Sequence, residues 1–176
     1  RADLCVLMLD CTDIAMQDRK IAQLIVEYQK PCIIVLNKFD LYHPSAKMGV
    51  RKSELFEVAR SEFFFMPYAP MIAVSAKNRQ FLDEIFHKVK DVHEGSLNQP
   101  GTGQLNRLLQ RAIARATEPL GTSGRAFKLL YASIAKDSDD HAEIKSPHFI
   151  LFGNRAEHLQ PSYLRYIESR IREEWP

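Results

Sequence analysis

Cysteine is scarce in this chain. Cys5, Cys11 and Cys32 are its only thiols; they are an odd number and none has CxxC spacing. That pattern argues against a disulfide framework or a thiolate zinc site and for buried, reduced thiols in a cytoplasmic protein. The six histidines are scattered, with no HxH or HExxH, so no metal site is expected in the chain. No stretch approaches the ~18 consecutive apolar residues of a membrane span, and no basic-then-apolar leader opens the chain. A membrane partner is therefore not expected. No repeat period or low-complexity segment is visible. The most informative absence is a motif: G-x-x-x-x-G-K-[ST] occurs nowhere. The backbone amides and lysine that cradle β- and γ-phosphates, and the hydroxyl that binds Mg²⁺, are missing with it. No catalytic residue is expected in the chain.

What is present begins with apolar runs. Leu4-Cys5-Val6-Leu7-Met8-Leu9, ending at Asp10, reads as a strand buried on both faces. Ile21, Leu24, Ile25 and Tyr28 follow at helical spacing. Pro31 opens a second strand, Cys32–Leu36, and a helix is expected from Ser53 to about Phe63, with Leu55, Phe56 and Ala59 inward. Pro67 and Pro70 bracket the turn into a third strand, Met71–Val74. A further amphipathic helix carries Phe81, Leu82, Ile85, Phe86 and Val89. Strand–helix alternation of this kind predicts a parallel sheet with right-handed crossovers, whose ligands bind beyond the carboxyl ends of the strands. Residues 96–103, within the turn-rich Gly95–Gly103 stretch, read as a linker. Beyond it the order changes to helix (Leu105, Leu108, Leu109, Ala112, Ile113, Ala116), strand (Phe127–Ala135), strand (Pro147–Phe152) and helix (Leu164, Ile167, Ile171). An acidic loop with Asp137, Asp139, Asp140 and Glu143 joins the two strands. The expected organisation is α/β for residues 1–95 and α+β for 104–176.

Two short strings sit where the sheet rule places a ligand. Asn37-Lys38-Phe39-Asp40 follows the second strand, and Ser75-Ala76-Lys77 follows the third. Guanine presents two donors side by side, N1–H and the exocyclic amine, and an ionised Asp40 accepts both in a charge-assisted pair. The Asn37 amide meets the acceptors on the other edge of the ring. Lys38 and Lys77 have apolar stems that can cover the two faces of a flat base. The Ala76 backbone N–H is expected to be free for the guanine carbonyl oxygen. Either string alone is a weak signal. Both together, each ending a buried strand and one helix apart, supply the structural context such motifs require.

This pair resembles the NKxD and SAK guanine-specificity elements of translation-factor-like GTPases, so the chain reads as a piece of a GTPase that carries the base-reading half of the site. The resemblance then extends along the chain. Asp3 to Asp10, Gln17-Asp18, Asn37–Asp40, Tyr68-Ala69-Pro70, Ser75-Ala76, Leu105-Asn106-Arg107 and Ser162-Tyr163 with Arg165-Tyr166 look like the Der (EngA) family. Its members have two successive G domains and a C-terminal KH-like domain. The resemblance implies that residues 1–95 are the latter half of the second G domain, half of a P-loop GTPase sheet with three strands and crossover helices. It implies that residues 104–176 are a KH-like domain lacking its last strand. It also implies GTP or GDP as ligand, Mg²⁺ held outside this chain, and GTP hydrolysis in the parent protein. The implied partners are the large ribosomal subunit with its rRNA and the upstream G domain. Guanine contacts would come from Asn37, Lys38, Asp40, Ser75, Ala76 and Lys77. Phe39 stands where this family often has Trp, and the Lys136–Ser146 loop is longer than the family's usual connection. In a complete G domain the Leu4–Leu9 strand has a neighbour on each side, so here it is expected to be a raw edge open to self-association.

The KH-like part lacks the usual RNA grip. Gly121-Thr122-Ser123-Gly124 is the only formal GXXG, and it precedes the first strand of that unit, so it reads as a plain loop. Residues 1–98 hold 13 Lys+Arg and 13 Asp+Glu, a net charge of zero, and residues 99–176 hold 11 and 9, net +2. That is a weak footprint for nucleic acid. Arg107, Arg111 and Arg115 recur every four residues, which reads as a solvated face opposite the leucines, with a phosphate-facing ridge as the alternative. Two functional classes stay open: a GTP-switch enzyme, or a KH-like docking module that needs no nucleotide. Era, another KH-bearing GTPase, is a nearer rival, but its GXXG is missing here.

Overall fold

The computed structural model describes residues 2–115, 127–135, 144 and 147–175. In chain order the elements are β1 (Cys5–Asp10), α1 (Met16–Glu27), β2 (Cys32–Asn37), a 3-10 turn (Phe39–Leu41), α2 (Met48–Glu62), β3 (Met71–Ala73) and α3 (Asp83–Leu97). They continue with α4 (Thr102–Arg115), β4 (Lys128–Ile134), β5 (Phe149–Asn154), a 3-10 turn (Ala156–His158) and α5 (Pro161–Glu174). The chain divides into two compact units between Glu94 and Gly95.

In the first unit β1, β2 and β3 form a parallel sheet in that order. Side chains alternate along a strand, so β2 serves two cores at once. Cys32, Ile34 and Leu36 pack on one side with Leu7, Leu9, Ala22, Leu55, Ala59 and Phe63. Ile33 and Val35 pack on the other with Ile72, Val74, Leu82, Ile85 and Val89. The whole Cys32–Leu36 run is buried, as a central parallel strand requires. Parallel registers Asp10↔Asn37 and Leu36↔Ala73 bring the carboxyl ends of the strands to one rim.

Several expectations are corrected here. β1 is covered on one face only: Leu7 and Leu9 are buried, whereas Val6 and Met8 are 44% and 54% exposed. The residues from α3 pack on Ile33, Val35, Ile72 and Val74, and no described element lies over Val6 and Met8. On α1 the inward stripe is Ala22, Ile25 and Val26, while Ile21, Leu24 and Tyr28 are exposed. Helix α2 begins at Met48, five residues before Ser53, and α3 begins at Asp83 and runs through Gly95 to Leu97. Phe81 precedes α3 in a left-handed conformation, φ 60°, and Phe86 is exposed. Only four residues, Asn98 to Gly101, separate α3 from α4.

The second unit is an antiparallel β4–β5 hairpin against α4 and α5. Leu105, Leu109, Phe127, Leu129, Ala132, Tyr163, Ile167 and Ile171 form its core. Asn106 joins helix to strand: its Nδ2 donates to the Ala132 carbonyl at 2.7 Å and its Oδ1 accepts from the Ala132 N–H at 2.8 Å. The Tyr166 hydroxyl donates to the Ala112 carbonyl at 3.1 Å. Gly153 is required where it stands, since a Cβ there would lie 2.4 Å from the Phe127 ring. The hairpin's outer face exposes Leu130, Tyr131, Ile150 and Phe152, with the Tyr131 and Phe152 rings stacked 4.3 Å apart. Arg107 and Arg111 lie exposed on α4, with Leu105, Leu109 and Ala112 buried. The Gly121–Gly124 stretch, the four acidic residues of the long loop and the Arg115 side chain lie outside the described residues.

Candidate nucleotide-base site

The residues singled out by the two strings meet at the carboxyl rim of the sheet. β2 ends at Asn37, whose carbonyl accepts from the Cys11 N–H at 2.9 Å. The chain then turns sharply: Lys38 adopts a left-handed conformation, φ 65°, and the 3-10 turn follows at once. Two backbone bonds tie this turn to the neighbouring strand end. The Phe39 N–H donates to the Val74 carbonyl at 3.0 Å, and the Val74 N–H donates to the Leu36 carbonyl at 2.9 Å. Phe39 is buried and meets the Phe81 ring edge-on at 6.5 Å.

The second loop is closed on itself by Ser75 N–H to the Gln80 carbonyl at 3.2 Å and Gln80 N–H to the Ser75 carbonyl at 3.0 Å. From this frame the buried Ser75 hydroxyl donates to Asp40 Oδ1 at 2.6 Å, and its oxygen accepts from the Asn78 N–H at 3.2 Å. A carboxylate has about four lone-pair sites. The hydroxyl therefore fixes the Asp40 carboxylate and leaves Oδ2 and part of Oδ1 available for a bidentate donor pair. One expectation changes: the Ala76 N–H is not free, since it donates to Asn37 Oδ1 at 3.0 Å. The Asn37 oxygen is thus engaged, which leaves its amide N–H₂ as the side chain's donor group. Lys77 is exposed.

Lys38 has a partner that the motif alone does not reveal. Its ammonium lies 2.6 Å from Asp10 Oδ2, at the end of the adjacent strand. Asp10 Oδ1 also accepts from the Thr12 hydroxyl at 2.6 Å and the Thr12 N–H at 3.0 Å. These bonds to the charged form, that of Lys38 first, hold the Asp10 pKa down at about 2. The same pairing raises the Lys38 pKa. Cys11 lies next to this rim, and burial, with Asp10 and Asp40 nearby, pushes its thiol up to about 11. It stays protonated and unreactive at neutral pH.

Asn37 is therefore joined to Ala76 and Asp40 to Ser75, while Lys38 pairs with Asp10 and Lys77 is exposed next to Ala76 in the chain. The motif analysis missed Asp10 as a partner and also Arg51, a buried arginine on α2. The signal for Arg51 lay in the sequence, because Arg51, Leu55, Ala59 and Phe63 continue one stripe at four-residue steps. An arginine in that stripe is out of place for packing alone.

Two loops converging at the carboxyl rim of a parallel sheet, followed by a helix–hairpin–helix unit, define the class: part of a G-domain-like α/β sheet joined to a KH-like domain. Residues 100–176 match the family described as the KH-domain-like C-terminal domain of EngA bacterial GTPase enzymes. Over its whole length the chain is 43% identical to "GTPase Der" of Akkermansia muciniphila, spanning 38% of that protein. Over 98% of its length it is 35% identical to "GTPase Der" of Persephonella marina, spanning 36% of that protein. The C-terminal part of the chain thus matches the EngA KH-like family, and the chain as a whole is similar to proteins named GTPase Der. It spans a little over a third of the length of these relatives. A solved structure of Aquifex aeolicus Era bound to GDP.AlF4⁻ aligns with a TM-score of 0.43 at 17% identity, covering 98% of this chain and 60% of that one. That likeness is too slight to support more.

Proposed function

We propose that this chain is the base-reading part of a GTP-binding protein whose full-length polypeptide hydrolyses GTP. The observation that carries the reading is the Asp40 carboxylate held by the Ser75 hydroxyl at 2.6 Å, beside an Asn37 amide whose oxygen is fixed by Ala76. This is a preset acceptor pair and donor on one rim, and it comes with whole-length similarity to proteins named GTPase Der. Asn37, Lys38, Asp40, Ser75, Ala76 and Lys77 are the proposed contacts to the guanine of GTP or GDP. Residues 1–95 are proposed as the latter half of the Der (EngA) family's second G domain and 104–176 as the KH-like domain; of the expected 96–103 linker, only Asn98 to Gly101 lie between helices. Among the described residues no group of His, Cys, Asp or Glu could hold a metal ion. Mg²⁺ is proposed to be held by residues of the polypeptide outside this chain, which lacks the G-x-x-x-x-G-K-[ST] motif that supplies its hydroxyl ligand.

The same reading places the protein in the cytoplasm, acting in assembly of the large ribosomal subunit. No described helix is long and apolar enough to cross a membrane. The proposed partners are rRNA of that subunit and the upstream G domain. A second reading, docking without nucleotide, is favoured by one feature: the exposed Leu130, Tyr131, Ile150 and Phe152 face of the hairpin.

Phosphate release under multiple turnover separates the readings. Positioning and charge stabilisation of the transferred phosphoryl group supply nearly all of this catalysis, and this chain lacks the motif that provides them. The full-length polypeptide is expected to hydrolyse GTP, and the 176-residue chain alone is expected not to. Turnover by the isolated chain that Asp40→Ala abolishes would contradict this reading. So would a full-length polypeptide that binds its ribosomal partner but no guanine nucleotide.

A further inference from the structure

We propose that Arg51 is a positioning residue of the guanine site: it clamps the turn that carries Asp40, and so sets how well the carboxylate distinguishes guanine from a base lacking the 2-amine. The inference rests on the guanine reading above and adds a residue that the NKxD and SAK strings do not contain.

The turn is a poor candidate for holding itself. It follows a non-glycine residue in the left-handed region, φ 65° and ψ 30° at Lys38, where a Cβ crowds the following carbonyl. It contains a single 3-10 turn, whose hydrogen bonds have poor geometry. Its internal bonds are the Leu41 N–H to the Lys38 carbonyl at 2.9 Å and the Tyr42 N–H to the Phe39 carbonyl at 3.2 Å. Two outside clamps hold it. From the β3 side come the Phe39–Val74 backbone bond and the Ser75 hydroxyl on Asp40.

From the α2 side comes Arg51. Its Nε donates to the Tyr42 carbonyl at 2.6 Å, and Nη2 donates to the Phe39 carbonyl. Its Cζ lies 4.6 Å from the centroid of the Phe39 ring. The two carbonyls flank Asp40 in sequence, one residue before it and two after. A planar guanidinium with a fixed fork of donors suits two carbonyls and an aromatic face, and a lysine ammonium does not match all three. No carboxylate lies within ion-pair distance of Arg51 among the described residues. A buried charge with no counter-ion is costly. Leu55, Ala59 and Phe63 show that the rest of this stripe is met by apolar side chains. What distinguishes position 51 is that its neighbours include two carbonyl oxygens from the recognition turn, and carbonyls at the end of such a turn favour a cation.

The chemistry predicts a loss confined to base reading. Guanine and hypoxanthine both offer N1–H to Asp40, but only guanine offers the 2-amine. A carboxylate displaced by a fraction of an ångström keeps one bond more easily than two. The experiment measures dissociation constants for GDP and inosine diphosphate on the full-length polypeptide, with thermal midpoints recorded in parallel. The expected result is that the wild type prefers GDP. Arg51→Met should narrow that preference about tenfold or more. Arg51→Lys, which keeps the charge and reaches one carbonyl, should lie between them. An Arg51→Met protein with a lowered midpoint and an unchanged GDP-to-inosine-diphosphate ratio would show a merely structural arginine and overturn the proposal. If Arg51→Met does not fold, Arg51→Lys decides alone, and an unchanged ratio there overturns it equally. A wild type with no preference for GDP would instead sink the guanine reading itself, and the role of Arg51 with it.

Discussion

The Asp10 carboxylate receives three donors, the Lys38 ammonium at 2.6 Å, the Thr12 hydroxyl at 2.6 Å and the Thr12 N–H at 3.0 Å. Its pKa in the folded protein, about 2, lies below the ordinary aspartate value of about 3.9. A carboxyl group depressed on folding contributes stability above its unfolded pKa and loses it as pH falls through the folded value. The window is therefore from about pH 4 down to about pH 2, and the pair is fully formed at neutral pH. Both side chains are partly exposed, so solvent and salt keep the pair's worth to stability small. Its consequence is positional, since it holds the Lys38 side chain at the end of the neighbouring strand, beside the proposed base site. The Thr12 amide resonance should titrate with a midpoint near pH 2. Lys38→Met, which removes the largest cause, should move that midpoint up toward the ordinary carboxylate range; an unmoved midpoint contradicts the assignment. At this scale the sequence was informative where spacing carried the chemistry. Asn37, Asp40 and Ser75 were legible because a strand end and a three-residue step define them. Asp10 was visible only as the end of a strand, since no spacing rule says that parallel register sets it opposite Asn37. Arg51 was hidden among 24 basic residues, although its place in an otherwise apolar stripe marked it.

Among the elements, the strands were legible and their surroundings were not. Continuous apolar runs marked all three parallel strands, because buried strands need them. β1 carries the same signature as β2, yet its Val6 and Met8 are exposed. A run reports that a strand is apolar on both faces, and does not report which neighbour covers each face. The stripe of α1 was misread for a related reason: helical spacing does not set the phase, and Ala22, Ile25 and Val26 face the core while Ile21 and Leu24 are exposed. Leu4–Leu9 was expected to be a raw edge, and β1 does lie at the edge of the sheet among the described strands. An edge presents unpaired N–H and C=O groups, and here an apolar face adjoins it, a combination that invites pairing with another chain. The 176-residue chain is therefore expected to self-associate through β1. Light scattering on a chain confirmed by mass to begin at Arg1 checks this, and a monodisperse monomer contradicts it. Met8→Lys, which places a charge on the exposed face, should reduce the association.

For the molecule as a whole, the change from strand–helix alternation to helix–hairpin–helix was legible in the sequence, and the structure divides between Glu94 and Gly95. The linker was less so, because a run rich in Gly, Ser and Asn looks like coil, while Gly95 to Leu97 complete α3. The claim on which the functional account depends is that Asp40 reads guanine. Its most direct test is a titration of GTP and XTP against wild-type and Asp40→Asn full-length polypeptide. An Asn at position 40 presents an N–H₂ where an acceptor is needed, leaving a donor of the guanine edge unpaired. Such an unsatisfied group costs about 1–3 kcal/mol, and more where a charged partner is lost. GTP affinity should fall about tenfold or more. Xanthine replaces the amine with a carbonyl oxygen, which the Asn N–H₂ satisfies while the Asn oxygen still accepts from N1–H. The account predicts that the wild type prefers GTP and that Asp40→Asn prefers XTP. A mutant that keeps its preference for GTP would mean that Asp40 does not read the base.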